Sequence, residues 1–339
     1  MFVFVRKILF LMPPERAHYF TMNLLQMLAN LGILGLLIKP IKKQQNTTIC
    51  GINFPNKVGL AAGFDKNAMY LDVLGKLGFG HVEVGTVTPL AQDGNPVPRL
   101  FRLPKDQALI NRMGFNNMGV DAMVAKLKNR PKNLIVGGNI GKNKITPNEN
   151  AAQDYLICLE KLFDYVDYFT VNISSPNTPG LRALQDKEPL TALLQQVIAK
   201  RDALSLNGTI NRPVFLKIAP DLYPEQIKEI AEIIVLTKTD GVVISNTTID
   251  RSNLTTDNQT IENIGAGGLS GAPVKTKSND ALLHLRKALP AHIPIIGVGG
   301  IMSKKDGEEK LLLGASLIQI YTGFVYGGVE LIRKLAKLK

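Results

Sequence analysis

The chain has 339 residues, 45% of them apolar and 20% charged, a globular composition that excludes a disordered or fibrous protein. Forty Lys and Arg against 28 Asp and Glu give a formal charge of +12, which favours anionic partners: nucleic acid, an acidic membrane face or a small anionic substrate. Two cysteines, Cys50 and Cys158, lie 108 positions apart without ligand spacing, which argues against a structural zinc site, an iron–sulfur cluster or a disulfide framework and points to a reducing cytosol.

The amino terminus differs from the rest. Residues 17–38 contain no Asp, Glu, Lys or Arg, yet His18, Thr21, Asn23, Gln26 and Asn30 interrupt the stretch. Leu24, Leu25, Met27, Leu28, Leu31, Leu34 and Leu37 fall largely at spacings of three and four. Two short amphipathic helices are expected, at about residues 3–11 and 15–30, divided by Pro13-Pro14. Arg6, Lys7, Arg16, Lys39, Lys42 and Lys43 against Glu15 alone give this hairpin a cationic fringe, which favours a segment lying on a membrane surface over ordinary core packing or a targeting peptide. Arg6-Lys7 breaks the first apolar run and no convincing cleavage site follows, which disfavours a secretory signal. The expected organisation is therefore a membrane-facing segment over 1–45 and a catalytic domain over 46–339.

Beyond residue 45, short runs rich in β-branched or small apolar residues recur at 58–63, 81–86, 134–139, 168–174, 214–219, 241–246, 293–298 and 317–321, mostly followed by helical stretches. Eight apolar strands alternating with helices predict an α/β fold, a parallel (β/α)8 TIM barrel, in preference to an open doubly wound sheet. The connection from 87 to 133 is long, carrying several prolines and then Asn-Arg-Met-Gly-Phe-Asn-Asn at 111–117. Loops of that length usually carry function.

In such a barrel the active site lies where the strands end. Those ends supply Ala62, Gly63 and Lys66, then Thr86, Asn139, and Asn172, Ser174, Ser175 and Asn177; Lys217, Ser245, Asn246, Thr247, Gly299, Gly300, Tyr321 and Thr322 follow. Amides, hydroxyls and two lysines without histidine suit a planar, hydrogen-bonding anion and disfavour a metal site or a carboxylate-pair glycosidase. Gly297-Val298-Gly299-Gly300, Tyr321-Thr322-Gly323 and the cluster at 267–271 place bare backbone amides where this fold commonly binds phosphate. Neither GxGxxG nor a Walker A pattern occurs.

The segments Ala61-Ala62-Gly63-Phe64-Asp65-Lys66-Asn67, Asn111–Asn117, Asn172-Ile173-Ser174-Ser175-Pro176-Asn177-Thr178, Ser245-Asn246-Thr247-Thr248, 267–271 and 320–323 together resemble the dihydroorotate dehydrogenase family over essentially the whole chain. The helical extension, and Ser175 where soluble relatives carry cysteine, resemble its quinone-linked, membrane-associated class 2, the bacterial type. The resemblance implies oxidation of dihydroorotate to orotate for pyrimidine synthesis, with bound FMN as hydride acceptor and Ser175 as general base, Thr178 being its hydroxyl neighbour. It further implies substrate contacts at Lys66, Asn111, Arg112, Met113, Gly114, Phe115, Asn172, Asn177, Asn246 and Thr247. FMN contacts are implied at Ala62, Gly63, Phe64, Asp65, Lys66, Thr86, Asn139, Asn172, Lys217, Ser245, Gly271, Gly300, Tyr321 and Thr322, with Lys217 the cation for reduced flavin. His18, Arg102 and Tyr321 match quinone positions, Arg102 lying in the shared Arg99-Leu100-Phe101-Arg102-Leu103.

The same resemblance implies a peripheral protein on the cytoplasmic face of the cell membrane, held by anionic lipid at the hairpin, with no metal, no nucleic-acid partner and a monomeric state. Two rival barrels fit the sequence less well. One reducing uridine in transfer RNA should show a basic, aromatic-interleaved face or an added RNA-binding domain, and Trp is absent. A non-redox sugar-phosphate barrel has no need of the hairpin or the asparagine-rich rim. A non-enzymatic membrane adaptor would leave those strand-end polar groups without a purpose.

Overall fold

A computed structural model describes residues 2–38, 46–205 and 211–338. Lys39, Lys42 and Lys43 of the expected cationic fringe, and the expected division at 45/46, lie outside or at the edge of the described residues.

Two helices, α1 (Phe2–Phe10) and α2 (Pro14–Asn30), meet at Pro13-Pro14. Pro14 takes the first helical position, where its missing N–H costs nothing. One turn, α3 (Leu34–Leu37), follows. α2 buries Ala17, Met22 and Ala29 against the main body, while Phe4, Ile8, Tyr19, Phe20, Leu24 and Met27 stay exposed on the two helices and Leu11 on the turn between them. Arg99 grips Glu15 through two nitrogens at 2.7 and 3.1 Å, and the Tyr70 hydroxyl donates to Asn23 at 2.8 Å, fixing α2 in place.

A small antiparallel hairpin, β1 (Thr47–Ile49) and β2 (Ile52–Phe54), precedes the barrel. Its Ile49 and Phe54 pack with Tyr168, Phe215 and Leu317 near the starts of barrel strands, so it plugs the N-terminal end. The chain then runs through β3 (Val58–Leu60), α4 (Leu71–Leu77) and β4 (His81–Val87). The long connection holds two further strands, β5 (Leu100–Leu103) and β6 (Ala108–Asn111), and α5 (Val120–Leu127). Next come β7 (Ile135–Ile140), α6 (Ala151–Leu162), β8 (Tyr168–Asn172) and α7 (Lys187–Ser205). They are followed by β9 (Val214–Ile218), α8 (Pro224–Thr237), β10 (Gly241–Ile244), α9 (Asn258–Ile264) and β11 (Gly268–Gly271). The chain closes with α10 (Lys275–Ala288), β12 (Ile295–Val298), α11 (Lys304–Leu312), β13 (Leu317–Ile320) and α12 (Thr322–Leu335).

The strands β3-β4-β7-β8-β9-β10-β12-β13 close into one parallel barrel, the expected (β/α)8 TIM architecture. Helices covering the outside explain the near-continuous apolar strand runs: Val58, Leu60, Val136, Leu216 and Ile318 are fully buried. β5, β6 and β11 form a separate antiparallel sheet above the strand ends, with β6 in the middle. This sheet stands between the N-terminal helices and the barrel mouth.

Candidate active site

The C-terminal ends of the barrel strands open into one cleft. Every barrel strand contributes to it except β7, and the β6 and β11 edges close its upper side. The glycines, lysines, amides and hydroxyls expected at the rim meet here: Ala62, Gly63, Lys66, Thr86, Asn111, Gly114, Phe115, Asn172, Ser175, Asn177, Lys217, Ser245, Asn246, Thr247, Gly271, Gly300, Tyr321 and Thr322.

An amide ladder crosses its floor. Asn246 donates to Asn172 at 3.3 Å and to the Ser174 hydroxyl at 3.0 Å; Asn172 donates to Thr86 at 2.8 Å and to Asn139 at 3.2 Å; Asn139 donates to Glu83 at 2.7 Å. Each amide has a fixed orientation because its neighbours decide which end donates. Ser175 is almost fully buried, and its oxygen accepts the Asn177 amide N–H at 3.2 Å, which orients the hydroxyl. Asn177 in turn donates its side-chain amide to the Asn111 carbonyl at 3.0 Å, tying the β8 loop to β6. Thr178 is buried, but no hydrogen bond joins it to Ser175.

Two ammonium groups face the cleft from opposite sides. Lys66 donates to the Asn116 side chain and lies 3.3 Å from the Met113 sulfur. Burial and the Arg99 charge hold it down at about 7. Lys217 is buried with only Glu83 as its charge partner, 4.0 Å away, and burial lowers its pKa. An ammonium so poorly satisfied is costly unless an acceptor fills the cleft. The buried Ser245 hydroxyl and the Gln319 amide oxygen have no hydrogen-bond partner among the described residues, and both residues line the same cleft.

At its far end the cleft meets bare backbone. The amides of Gly299 and Gly300 have no hydrogen-bond partner among the described residues, and Thr322 and Gly323 open the first turn of α12, where N–H groups have no intrahelical partner. Such a nest is a ready site for phosphate. Gly300 has φ +74°, and a Cβ there would lie 2.3 Å from the Lys275 Cα, so only glycine lets α10 come this close. A phosphate at the nest, with a ring that presents carbonyl oxygens to Lys217 and Ser245 and an N–H to the Gln319 amide oxygen, would satisfy all of these groups together.

Behind Tyr321 and Leu109, which line both spaces, lies a second cavity of about 460 Å³ under α1 and α2. Its walls are mostly apolar, from Leu9, Phe10, Met22, Leu25 and Phe324, and its polar lining includes His18, Arg102 and Tyr321 beside Arg6, Thr21, Glu330 and Arg333. Arg102 donates to the carbonyls of Met12 at 2.7 Å and Phe10 at 3.3 Å, and its guanidinium lies 4.5 Å over the Phe10 ring. His18 packs edge-on against Phe64 at 4.7 Å. His18, Arg102 and Tyr321 thus share one cavity.

Some expected site residues stand elsewhere. Arg112 turns outward to the carbonyls of Pro98 and Ile264 and stacks on Phe101. The Asp65 carboxylate turns inward to the amides of Met69 and Tyr70, both at 2.8 Å, and burial raises it to about 6. Phe64 faces the apolar cavity, Met113 lies beside Lys66 outside the cleft, and Asn139 sits beneath the cleft as part of its support. Sequence reasoning passed over Glu83 and Gln319, which meet at 2.9 Å below Lys217. A carboxylate inside His-Val-Glu-Val-Gly-Thr-Val was the available signal, since a charge in a strand buried on both faces must be paired.

Comparison with known proteins agrees with this geometry. Residues 44–338 match the dihydroorotate dehydrogenase family. A dihydroorotate dehydrogenase (quinone) of Neisseria meningitidis serogroup C is 48% identical over 99% of both chains. One from Christiangramia forsetii is 49% identical over 98% of this chain and 96% of its own. Among solved structures, dihydroorotate dehydrogenase of Eimeria tenella in complex with ferulenol superposes with a TM-score of 0.86 at 35% identity, covering 95% of this chain and 89% of that one.

Proposed function

The chain belongs to the dihydroorotate dehydrogenase family and is an oxidoreductase that oxidises dihydroorotate in pyrimidine biosynthesis; from that premise we propose that FMN is its prosthetic group, Ser175 its general base and a membrane quinone its electron acceptor. Bound flavin supplies the hydride acceptor, which no side chain can provide. The bare amides of Gly299 and Gly300, with the start of α12, would hold its phosphate, and Lys217 would supply the positive charge that stabilises the reduced ring.

The substrate is a flat, anionic heterocycle. Asn111, Asn172, Asn177 and Asn246 present it with fixed donors and acceptors, and Lys66 supplies the opposing charge. Ser175 takes the C5 proton. A neutral hydroxyl does this only as it releases its own proton, and no carboxylate or imidazole among the described residues hydrogen-bonds its oxygen. Water in the cleft is therefore the acceptor.

The shared wall of Leu109 and Tyr321 is the observation that carries the reading, because it sets an apolar chamber directly behind the polar cleft. About 460 Å³ is within the range of small-molecule sites and suits an apolar ring steered by His18 and Arg102. No described helix is long and apolar enough to cross a membrane. The exposed apolar side chains of α1 and α2, with Lys7 and Arg16 also exposed, support peripheral attachment to anionic lipid on the cytoplasmic face.

The decisive test is spectroscopic. Purified protein should be yellow, dihydroorotate should bleach it without oxygen, and a quinone in vesicles should restore the colour. A colourless protein that added FMN cannot restore would overturn the cofactor; a bleached protein that quinone cannot reoxidise would overturn the acceptor.

A further inference from the structure

Behind the phosphate nest lies a charge that the reading above does not use. Lys310, on α11, is 1% exposed, and its ammonium donates to the Ser278 hydroxyl of α10 at 2.6 Å. Ser278 donates its hydroxyl to the Val298 carbonyl at 2.6 Å, which also accepts the Ser245 amide N–H at 2.9 Å. That carbonyl belongs to the peptide whose N–H is the unpartnered amide of Gly299. Lys310 therefore stands two hydrogen bonds from the turn expected to hold the phosphate.

The two carboxylates within reach of this corner are already taken. Asp306 and Glu309 bind Lys275 at 2.6 and 2.8 Å, and Glu309 also accepts from Asn279 at 2.8 Å. No carboxylate lies within ion-pair distance of Lys310 among the described residues. Burial accordingly holds its pKa down at about 7. Packing alone does not explain such a residue, since a methionine of the same length would fill the space without the desolvation cost. A fixed anion on the other side of the turn does explain it.

We propose that Lys310, acting through Ser278 and the Val298–Gly300 turn, is a positioning residue that makes the cleft select the phosphorylated flavin over its unphosphorylated form. It touches no ligand. Ser278 aims the Gly299 peptide, and Lys310 adds a positive charge screened from solvent by the turn itself. A Cβ at Gly299 would lie 3.0 Å from the Ser278 oxygen, so the turn rests directly on this hydroxyl. The inference rests on the assignment of FMN and deepens it.

The test is competition rather than turnover. Full-length flavin-loaded protein is equilibrated with FMN and riboflavin in known ratio, and the bound ratio is read by chromatography of the released flavins. Lys310→Met should shift the FMN-over-riboflavin preference by about tenfold, the size of effect a unit charge exerts across such a distance at the effective dielectric of a protein. Affinity for riboflavin, which has the same rings, should stay as in the wild type. Ser278→Ala should move the preference in the same direction by less, and decides the matter if Lys310→Met does not fold. An unchanged preference in the variants, or equal loss of both flavins, overturns the role of Lys310. A wild-type protein that does not prefer FMN at all would instead overturn the cofactor assignment.

Discussion

Two cavities share Leu109 and Tyr321 as a wall, yet they are built in opposite ways. The cleft is a mesh of amides and ammonium groups, each fixed by neighbours from different strands, from Asn246 through Asn172, Thr86 and Asn139 to Glu83. The chamber behind it is a gap between two packed layers, lined by aliphatic and aromatic side chains, with its outer layer held by a few polar ties: Arg99 to Glu15, Tyr70 to Asn23 and Arg102 to the end of α1. On the proposed reading, the difference makes the two half-reactions separable in the molecule. Chemistry on the polar side depends on ångström-scale orientation, whereas the apolar side needs only shape, dryness and an opening.

The comparison breaks most severely at Ser175. Ser175→Ala leaves the phosphate nest and Lys217 intact, so flavin should stay bound, but anaerobic bleaching by dihydroorotate should slow by about a thousandfold, within the span of general-base catalysis. Stopped-flow absorbance measures this directly. Bleaching at the wild-type rate would remove Ser175 from the base role and leave the cleft a binding site only.

A smaller effect should follow from removing the other side. Deleting residues 1–38 should leave dihydroorotate-driven bleaching within a factor of a few, yet lower kcat/KM for quinone by about tenfold or more, because the chamber loses its outer wall. The deletion exposes barrel surface now covered by Met22, Ala29 and Leu34, so a lower Tm is expected as well. Quinone kinetics unaffected by the deletion would contradict the chamber assignment. On the outer face, Phe20→Ser should weaken partition to anionic vesicles by several-fold without altering bleaching, as expected for one partly inserted aromatic side chain. Partition unchanged by that substitution would place the lipid contact elsewhere.

The same division governs what the sequence could reveal. Barrel strands were legible because both faces are buried, so β10 and β12 read as continuous apolar runs and β9 as one broken only by Lys217. The N-terminal helices were legible from leucine spacing and from Pro13-Pro14. The sheet of β5, β6 and β11 was not, since pairing Asn111 with Gly268 joins segments more than 150 residues apart by backbone bonds that leave no pattern in side chains. At the site, glycines and asparagines at strand ends pointed to the cleft, but chemistry that depends on which way a side chain turns did not appear. Arg112 and Asp65 sit in motifs that border the cleft and yet turn away from it. Glu83 carried a signal as a carboxylate inside a buried strand, but its place under Lys217, like that of Lys310 beneath the Val298–Gly300 turn, became visible only on folding.

The smallest expected effect is also the one that best isolates the docking of the hairpin. Burial, and then the nearby Lys66 charge, hold His18 at about 4 against its ordinary 6.5. The docked hairpin therefore keeps His18 neutral, whereas an undocked one lets it take up a proton below pH 6.5. Docking is fully favoured above that value and weakens as pH falls from 6.5 towards about 4, losing about 1 kcal/mol by pH 5.5. Turnover is a poor readout here because Lys66, at about 7, titrates close to the same window. Hydrogen exchange of the α2 amides avoids that overlap: exchange by local opening should quicken about fivefold between pH 7 and 5.5, after correction for intrinsic rates. His18→Gln, which cannot take up the proton, should remove the acceleration while leaving barrel amides unchanged. A wild-type α2 whose corrected exchange is flat across this range would mean that His18 remains neutral in both states, and that its edge-on contact with Phe64 is packing alone.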